Sequence, residues 1–172
     1  MTAAAILALV FVPMVIEAAI SARNEGRLRA LGAREPHDDV FGAMQFGYPA
    51  AFLAMVAEAW WRQPQFDRVF GAGLALFIAS KILKYWAITT LGSRWTFRVL
   101  VPPGSTRVVA GPYRYSRHPN YVAVTGELVS VALMAHAILA GPVVTVGFIF
   151  LMRRRIAVEE SALGLRGMES RR

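Results

Sequence analysis

The chain has 172 residues, of which 56% are hydrophobic and only 17% are charged, with a mean hydropathy of +0.44. Soluble domains carry about 25% charged residues, so this composition predicts a membrane protein. There is no cysteine, which excludes disulfides, thiolate metal ligands and thiol nucleophiles. The three histidines form no metal-ligand motif, so we expect no metal. The net charge of +8 comes from basic residues at the ends of apolar segments, which argues against a nucleic-acid partner.

Five apolar segments predict an all-α integral membrane protein with about five transmembrane helices, since a span needs about 20 apolar residues. These segments are residues 3–20, 41–61, 69–91, 120–139 and 142–152. The first lacks a basic start and a cleavage signal, so we expect a retained helix rather than a signal peptide. The last is short, and we expect its helix to continue past the arginines at 153–155, whose side chains snorkel outward. Residues 21–40 are predicted to form a loop, and Gly141-Pro142 a turn.

The basic residues predict an orientation. They concentrate in the loop at 21–40, in residues 92–117 and after residue 152, whereas the opposite side has only Arg62 and Arg68. The positive-inside rule places the three basic regions in the cytoplasm and the N-terminus outside, in a bacterial inner membrane. We expect a single membrane domain, with transmembrane helices in 1–80, a catalytic, cofactor-binding half in 81–163 and a tail at 164–172.

A polar, aromatic segment at 111–121, Gly-Pro-Tyr-Arg-Tyr-Ser-Arg-His-Pro-Asn-Tyr, lies between apolar runs. Such a cluster at a membrane helix end is costly unless it binds something. A residue before proline avoids the α region, so His118 should lie just outside the helix that Pro119 begins. The free N–H groups after Pro119 then form an anion site, which Arg117 strengthens.

The last two helices are predicted to form an antiparallel hairpin about Ala140. Tyr121 precedes that residue by as many positions as Glu159 follows it. Because both helices rise about 1.5 Å per residue, Tyr121 should lie level with Glu159 and Glu160, with Arg155 about one turn deeper. An anion site opposite two carboxylates suits a zwitterion with extra positive charge. S-adenosylmethionine, with its carboxylate, ammonium and sulfonium groups, is such a ligand, and Tyr113 or Tyr121 offers a ring for its adenine.

Three blocks of the C-terminal half together carry a resemblance. They are Leu91-Gly92-Ser93-Arg94-Trp95, the segment from Gly111-Pro112-Tyr113 to Arg117-His118-Pro119-Asn120-Tyr121, and Arg155 with Glu159-Glu160. In these blocks the chain resembles the isoprenylcysteine carboxyl methyltransferase family of integral membrane enzymes. The resemblance implies S-adenosylmethionine-dependent O-methylation of a lipidic or prenylated acceptor at the cytoplasmic membrane face.

The resemblance also implies roles for individual residues. The cofactor contacts that it implies are Ser105, Thr106, Arg107, Val108, Tyr113, His118, Pro119, Tyr121 and Glu159. The local geometry described above adds Arg117 and Glu160. Arg155 is similar to a residue that orients the acceptor, and Lys84 to a basic residue that faces its negative charge, so both are the expected catalytic residues. Glu127, deep in the fourth apolar segment, either pairs with a lysine or belongs to the acceptor pocket.

The acceptor itself has several possible forms. A carboxylate is already a nucleophile, whereas an acidic enol or phenol needs the mild help that Lys84 or Arg155 can give. The expected acceptor is therefore isoprenylcysteine-like or alkylpyrone- or alkylresorcinol-like. The alternatives are a phospholipid N-methyltransferase, an NADPH-dependent membrane sterol-type reductase and a non-catalytic membrane scaffold. The acidic Glu159-Glu160 pair is poorly suited to the phosphates of a dinucleotide.

Overall fold

The computed structural model describes residues 2–36, 40–104 and 106–162. These contain five α-helices: α1 (Thr2–Ala30), α2 (Phe41–Arg62), α3 (Arg68–Leu91), α4 (Pro119–Met134) and α5 (Ala140–Ala162). Short 3-10 turns at Gly92–Arg94 and Gly111–Arg114 interrupt the connection from α3 to α4. The described ranges hold no strand, only an isolated β-bridge between Arg34 and Val101. The predicted all-α class is confirmed, while Ser105 and the tail at 164–172 lie outside the described residues.

Two of the five helices have the length and composition of a membrane span. They are Thr2–Ala30 and the stretch Arg68–Arg94, which is α3 with its 3-10 extension. Large apolar side chains such as Val15 and Ile82 point outward from them and are more than half exposed. That is the surface a lipid-facing helix presents. The count of five spans and the orientation remain predictions.

The first helix is longer than its apolar segment predicted. α1 continues to Ala30, so the prediction of a loop from residue 21 is wrong for its first part. Ser21, Asn24 and Leu28 follow one face of this extension and are all buried. Asn24 Nδ2 donates to the carbonyl oxygens of Gly92 at 3.1 Å and Trp95 at 2.8 Å. The extension is stable because its polar face is covered by the chain that follows α3.

The hairpin turn also lies earlier than predicted. α4 ends at Met134 and α5 begins at Ala140, so residues 135–139 form the connection. Gly141 and Pro142, the predicted turn, belong to the first turn of α5, and that prediction is wrong. The predicted continuation of the last helix beyond the arginines at 153–155 is confirmed.

Glu58 of α2 explains where α5 begins. Its carboxylate accepts hydrogen bonds from the backbone N–H groups of Leu139 at 3.1 Å and Ala140 at 2.7 Å. The first N–H groups of a helix have no partner within the helix, and a carboxylate there satisfies them and complements the helix dipole. Pro142 follows without disruption because it lacks an N–H group.

Close approach of α3 and α4 depends on glycine. A Cβ atom at Gly73 would lie 2.8 Å from the carbonyl oxygen of Ser130 and 3.0 Å from the backbone nitrogen of Met134. Farther along, a Cβ atom at Gly126 would lie 2.2 Å from Ser80 Oγ. Such close approaches leave no room for a Cβ atom, so α3 contacts the α4 backbone at Gly73, and the Ser80 side chain of α3 contacts the α4 backbone at Gly126. This contact places α3 side chains directly over α4.

We expect Gly73→Ala to lower the melting temperature of the detergent-purified protein. The added methyl group must displace the α4 backbone, and overpacking of this kind costs about 1–3 kcal/mol. Gly71→Ala is the matched control, because a Cβ atom there meets nothing within 4 Å. It should melt at or slightly above the wild-type temperature, since alanine favours helix over glycine. Equal melting temperatures for the two variants would contradict the close contact.

Candidate active site

A cavity of about 450 Å3 lies among the helices and the connection from α3 to α4. Most of the residues that the sequence predicted for the site line it: Lys84, Thr106, Arg107, Val108, Tyr113, Arg117, His118, Tyr121, Arg155, Glu159 and Glu160. Pro119 and Glu127 do not line it, and Ser105 lies outside the described residues. The fold therefore brings residues far apart in sequence to one surface.

The α4–α5 hairpin sets the polar wall of this cavity. Tyr121 Oη donates a hydrogen bond to Glu159 Oε1. Arg155 Nε lies 3.2 Å from Tyr121 Oη and 3.4 Å from Glu159 Oε1. The predicted pairing of Tyr121 with Glu159 is confirmed. Arg155 is only 4% exposed, and its guanidinium also donates to the carbonyl oxygen of Phe97, which ties the hairpin to the α3–α4 connection.

His118 lies at the edge of the same wall. It precedes α4 with φ −134° and ψ 61°, outside the α region as predicted, and Pro119 is buried as the first helical residue. Its Nδ1 lies 3.5 Å from Glu159 Oε2 and its Nε2 lies 3.3 Å from Glu160 Oε1. The hydrogen bond to Glu159, with help from Glu160, raises the pKa of His118 although burial opposes this. His118 and the two carboxylates thus form one hydrogen-bonded group at the cavity.

Asn120 lines the cavity next to His118 and was not among the predicted site residues. Its Oδ1 atom is buried and accepts no hydrogen bond within the described part of the chain. A buried polar atom without a partner costs free energy unless a ligand or water satisfies it. The sequence signal for a role of Asn120 in the site was its position in the first helical turn after Pro119.

Burial and the charge of Glu159 raise the pKa of Tyr113, which also lines the cavity, and this keeps its phenol protonated.

The α3–α4 connection forms the rest of the polar surface. Arg94 Nη1 donates to the carbonyl oxygen of Thr106 at 3.2 Å. This contact joins the Leu-Gly-Ser-Arg-Trp block to the loop whose Thr106, Arg107 and Val108 were predicted to hold a cofactor. Trp95 of the same block is 3% exposed. The loop is therefore anchored at Thr106 by an arginine of this block.

Four charged side chains form a buried cluster between α1, α3 and α4. Lys81 Nζ lies 2.8 Å from Glu17 and 3.1 Å from Glu127. Lys84 Nζ lies 2.8 Å from Glu17 and 3.2 Å from Glu127. The cluster is neutral as a whole, which is what burial in an apolar environment requires. Glu127 thus pairs with lysines, one of its two predicted interpretations, and the acceptor roles of Lys84 and Glu127 stay predictions.

Tyr48 of α2 connects this cluster with the cavity and was missed by sequence reasoning. Its Oη donates to Glu127 Oε2 at 2.5 Å, and the ring lines the cavity. The ring packs edge-on against Phe52 at 4.7 Å, and Lys84 Nζ lies 5.3 Å from its centre. The available signal was a tyrosine in the interior of an apolar helix, because a buried phenol needs a hydrogen-bond partner.

Comparison with known proteins agrees with this geometry. The family model for the isoprenylcysteine carboxyl methyltransferase (ICMT) family matches residues 73–164, more than half of the chain. The chain belongs to this family. The matched part holds the whole α4–α5 hairpin, the α3–α4 connection and Lys84. Membership in this family indicates a membrane methyltransferase.

Two bacterial relatives extend the similarity to the N-terminal helices. The protein YpbQ of Bacillus subtilis, described as uncharacterized, is 29% identical over 163 residues, covering 92% of this chain and 94% of YpbQ. An uncharacterized protein of Haemophilus influenzae is 28% identical over 163 residues, covering 94% of this chain and 92% of its own length. No solved structure matches the chain. The relatives therefore share nearly the full length, including α1 and α2.

We expect His118 to titrate above its ordinary pKa of 6.5, and Glu159→Gln to lower its pKa more than Glu160→Gln does. The stabilisation from this pairing is complete below the unfolded-state pKa and is lost as the pH rises through the higher folded-state pKa. Histidine ring NMR in detergent micelles, assigned with His118→Ala, measures each midpoint. The same midpoint in the wild-type protein and in Glu159→Gln would contradict the pairing.

Proposed function

We propose that this protein is an S-adenosylmethionine-dependent O-methyltransferase that acts on a lipid-tailed acceptor at the cytoplasmic face of a bacterial inner membrane. The observation that carries the proposal is the convergence, in one cavity, of the polar α4–α5 wall and an apolar wall that comes mostly from the N-terminal helices. Membership in a methyltransferase family supports the reaction type. It also favours methyl transfer over the reductase and scaffold alternatives.

The polar wall fits the chemistry of S-adenosylmethionine. Glu159 and Glu160 offer carboxylates to its ammonium and sulfonium groups, while Arg107 and Arg117 offer positive charge to its carboxylate. Asn120 Oδ1, which is buried and accepts no hydrogen bond from the described residues, can accept one from the adenine amine or the ammonium group. When bound, this cosubstrate supplies an electrophilic methyl group.

The opposite wall supports an acceptor with an apolar tail. It consists of side chains from α1, α2 and α5: Met14, Ala18, Phe41, Met44, Pro49 and Phe148. A long alkyl or prenyl chain gains roughly 0.8 kcal/mol for each methylene group it buries against such a surface. A lipid-tailed carboxylate or acidic hydroxyl fits this shape, with its tail along the apolar wall and its head toward the polar one.

The protein's task in methyl transfer is alignment and exclusion of water. Arg155 is well placed to orient an acceptor oxygen, because Phe97, Tyr121 and Glu159 fix the direction of its guanidinium. Lys84 also lines the cavity, with its charge balanced by Glu17 and Glu127. Its charge is therefore held in place rather than free to follow an anion.

We expect the purified protein to bind S-adenosylhomocysteine with micromolar affinity in a calorimetric titration. His118→Ala, Glu159→Ala and Asn120→Ala should each weaken binding about tenfold or more, since each removes a partly buried polar contact worth about 1.4 kcal/mol. Arg154→Gln is the control. Arg154 is exposed beside Phe150 and does not line the cavity.

Two results would count against the proposal. Absence of binding by the wild-type protein at millimolar ligand would overturn the cosubstrate assignment. Equal weakening by Arg154→Gln and Glu159→Ala would show that the effect is not specific to the cavity.

A further inference from the structure

The cavity has a floor at the end that faces the α4–α5 connection. On each helix the lining residues stop at one position nearest this end: Met14, Pro49, Lys84, Val124 and Phe148. The residues about one helical turn farther along are buried and do not line the cavity: Val10, Phe52, Ser80, Leu128 and Thr145. The first five residues therefore form a cavity floor that rests on a layer of buried side chains.

The cavity floor differs in chemistry from one helix to another. On α3 it is charged, because Lys84 is paired there with Glu17 and Glu127. On α5 it is aromatic, and the ring centre of Phe148 lies 5.2 Å from that of Tyr48, which also lines the cavity. An apolar tail gains free energy by burial against rings, whereas paired charges offer it no such gain. The end of an acceptor tail therefore fits the floor at Phe148.

Phe148 is held firmly in this position. Its side chain is buried, with the residue only 5% exposed, and it packs on the ring of Tyr48. Tyr48 is fixed in turn by its hydrogen bond to Glu127 at 2.5 Å and by the edge of Phe52, whose ring centre lies 4.7 Å away. A close-packed interior of this kind does not yield to an extra methylene group without cost.

The floor lies at a defined distance from the polar wall. Phe148 precedes Arg155 by seven residues, so both residues lie on the same face of α5, about 10 Å apart along the helix axis. Arg155 is the residue proposed above to orient the acceptor oxygen. The stretch of α5 between these two side chains therefore limits the room between the acceptor head and the floor.

We propose that Phe148 is a specificity-determining residue that sets the length of the acceptor tail that the cavity holds. The inference rests on the proposed methyltransferase function. A tail that ends at Phe148 has all its methylene groups buried in the cavity. A longer tail gains nothing further from the protein, because the buried layer beneath the floor leaves it no space.

The test measures affinity for two series of probes by calorimetry, with the detergent-purified protein saturated in S-adenosylhomocysteine. The probes are 5-alkylresorcinols with tails from pentyl to pentadecyl, and saturated fatty acids from octanoate to stearate. Partition of a probe into the detergent is the same for every variant. The ratio of variant to wild-type affinity at each tail length therefore isolates the contribution of the protein.

Phe148→Ala should change this ratio only for long tails. We expect a ratio near one for tails that end before the floor and a rise of about fourfold for each further methylene group, which is the gain from burying one such group. Phe150→Ala is the matched control on the same helix, because Phe150 is 59% exposed and does not line the cavity. Its ratio should stay near one at every tail length.

A second variant guards against unfolding, since truncating a buried phenylalanine to alanine destabilises a protein strongly. Phe148→Leu removes less volume, and its ratio should rise in the same direction over fewer methylene groups. Retained affinity for S-adenosylhomocysteine shows that a variant is folded.

Each outcome bears on one of the two proposals. If the wild-type protein does not bind S-adenosylhomocysteine, the proposed function fails. If it does bind, and the ratio for the folded Phe148 variants is the same at every tail length, the assignment of Phe148 fails alone. That assignment also fails if Phe150→Ala shows the same rise, or if the loaded wild-type protein binds neither series of probes.

Discussion

The constraint on which this structure depends is the need to neutralise charge buried among apolar helices. Two glutamates and two lysines meet in the interior, each within 3.2 Å of its partners. Removing one member would leave an uncompensated buried charge, which typically costs about 3–5 kcal/mol. The cluster therefore fixes the relative depth of α1, α3 and α4, and the bond from Tyr48 adds α2.

A second polar network fixes the other side of the cavity. Arg155 joins α5 to Tyr121 of α4 and to Phe97 of the α3–α4 connection, while His118 joins the start of α4 to Glu160. The cavity lies between these two networks. Its polar chemistry comes mostly from the part that the family model covers, whereas α1 and α2 supply Glu17, Tyr48 and most of the apolar wall. The N-terminal helices thus form part of the cavity wall.

Local patterns were sufficient for much of the fold and part of the site. Length and apolarity identified all five helices, and proline chemistry placed His118 outside α4. Counting residues along two antiparallel helices brought Tyr121 to Glu159, because the rise per residue is the same in both. The predicted contacts form although the turn lies earlier than predicted, because the side chains of Tyr121 and Arg155 are long enough to meet across the hairpin.

The sequence by itself determined the helical class, the membrane-type composition, the family and most residues of the polar wall, because these follow from composition, spacing and short motifs. Only the tertiary structure decided where α1 ends, where α5 begins, that Glu127 pairs with both lysines, and that Tyr48 and Asn120 reach the cavity. Each of these depends on a partner that is distant in sequence or on burial: Asn24 on Trp95, Ala140 on Glu58, Glu127 on Lys84. Contacts between distant residues depend on how helices pack, and no local pattern records that.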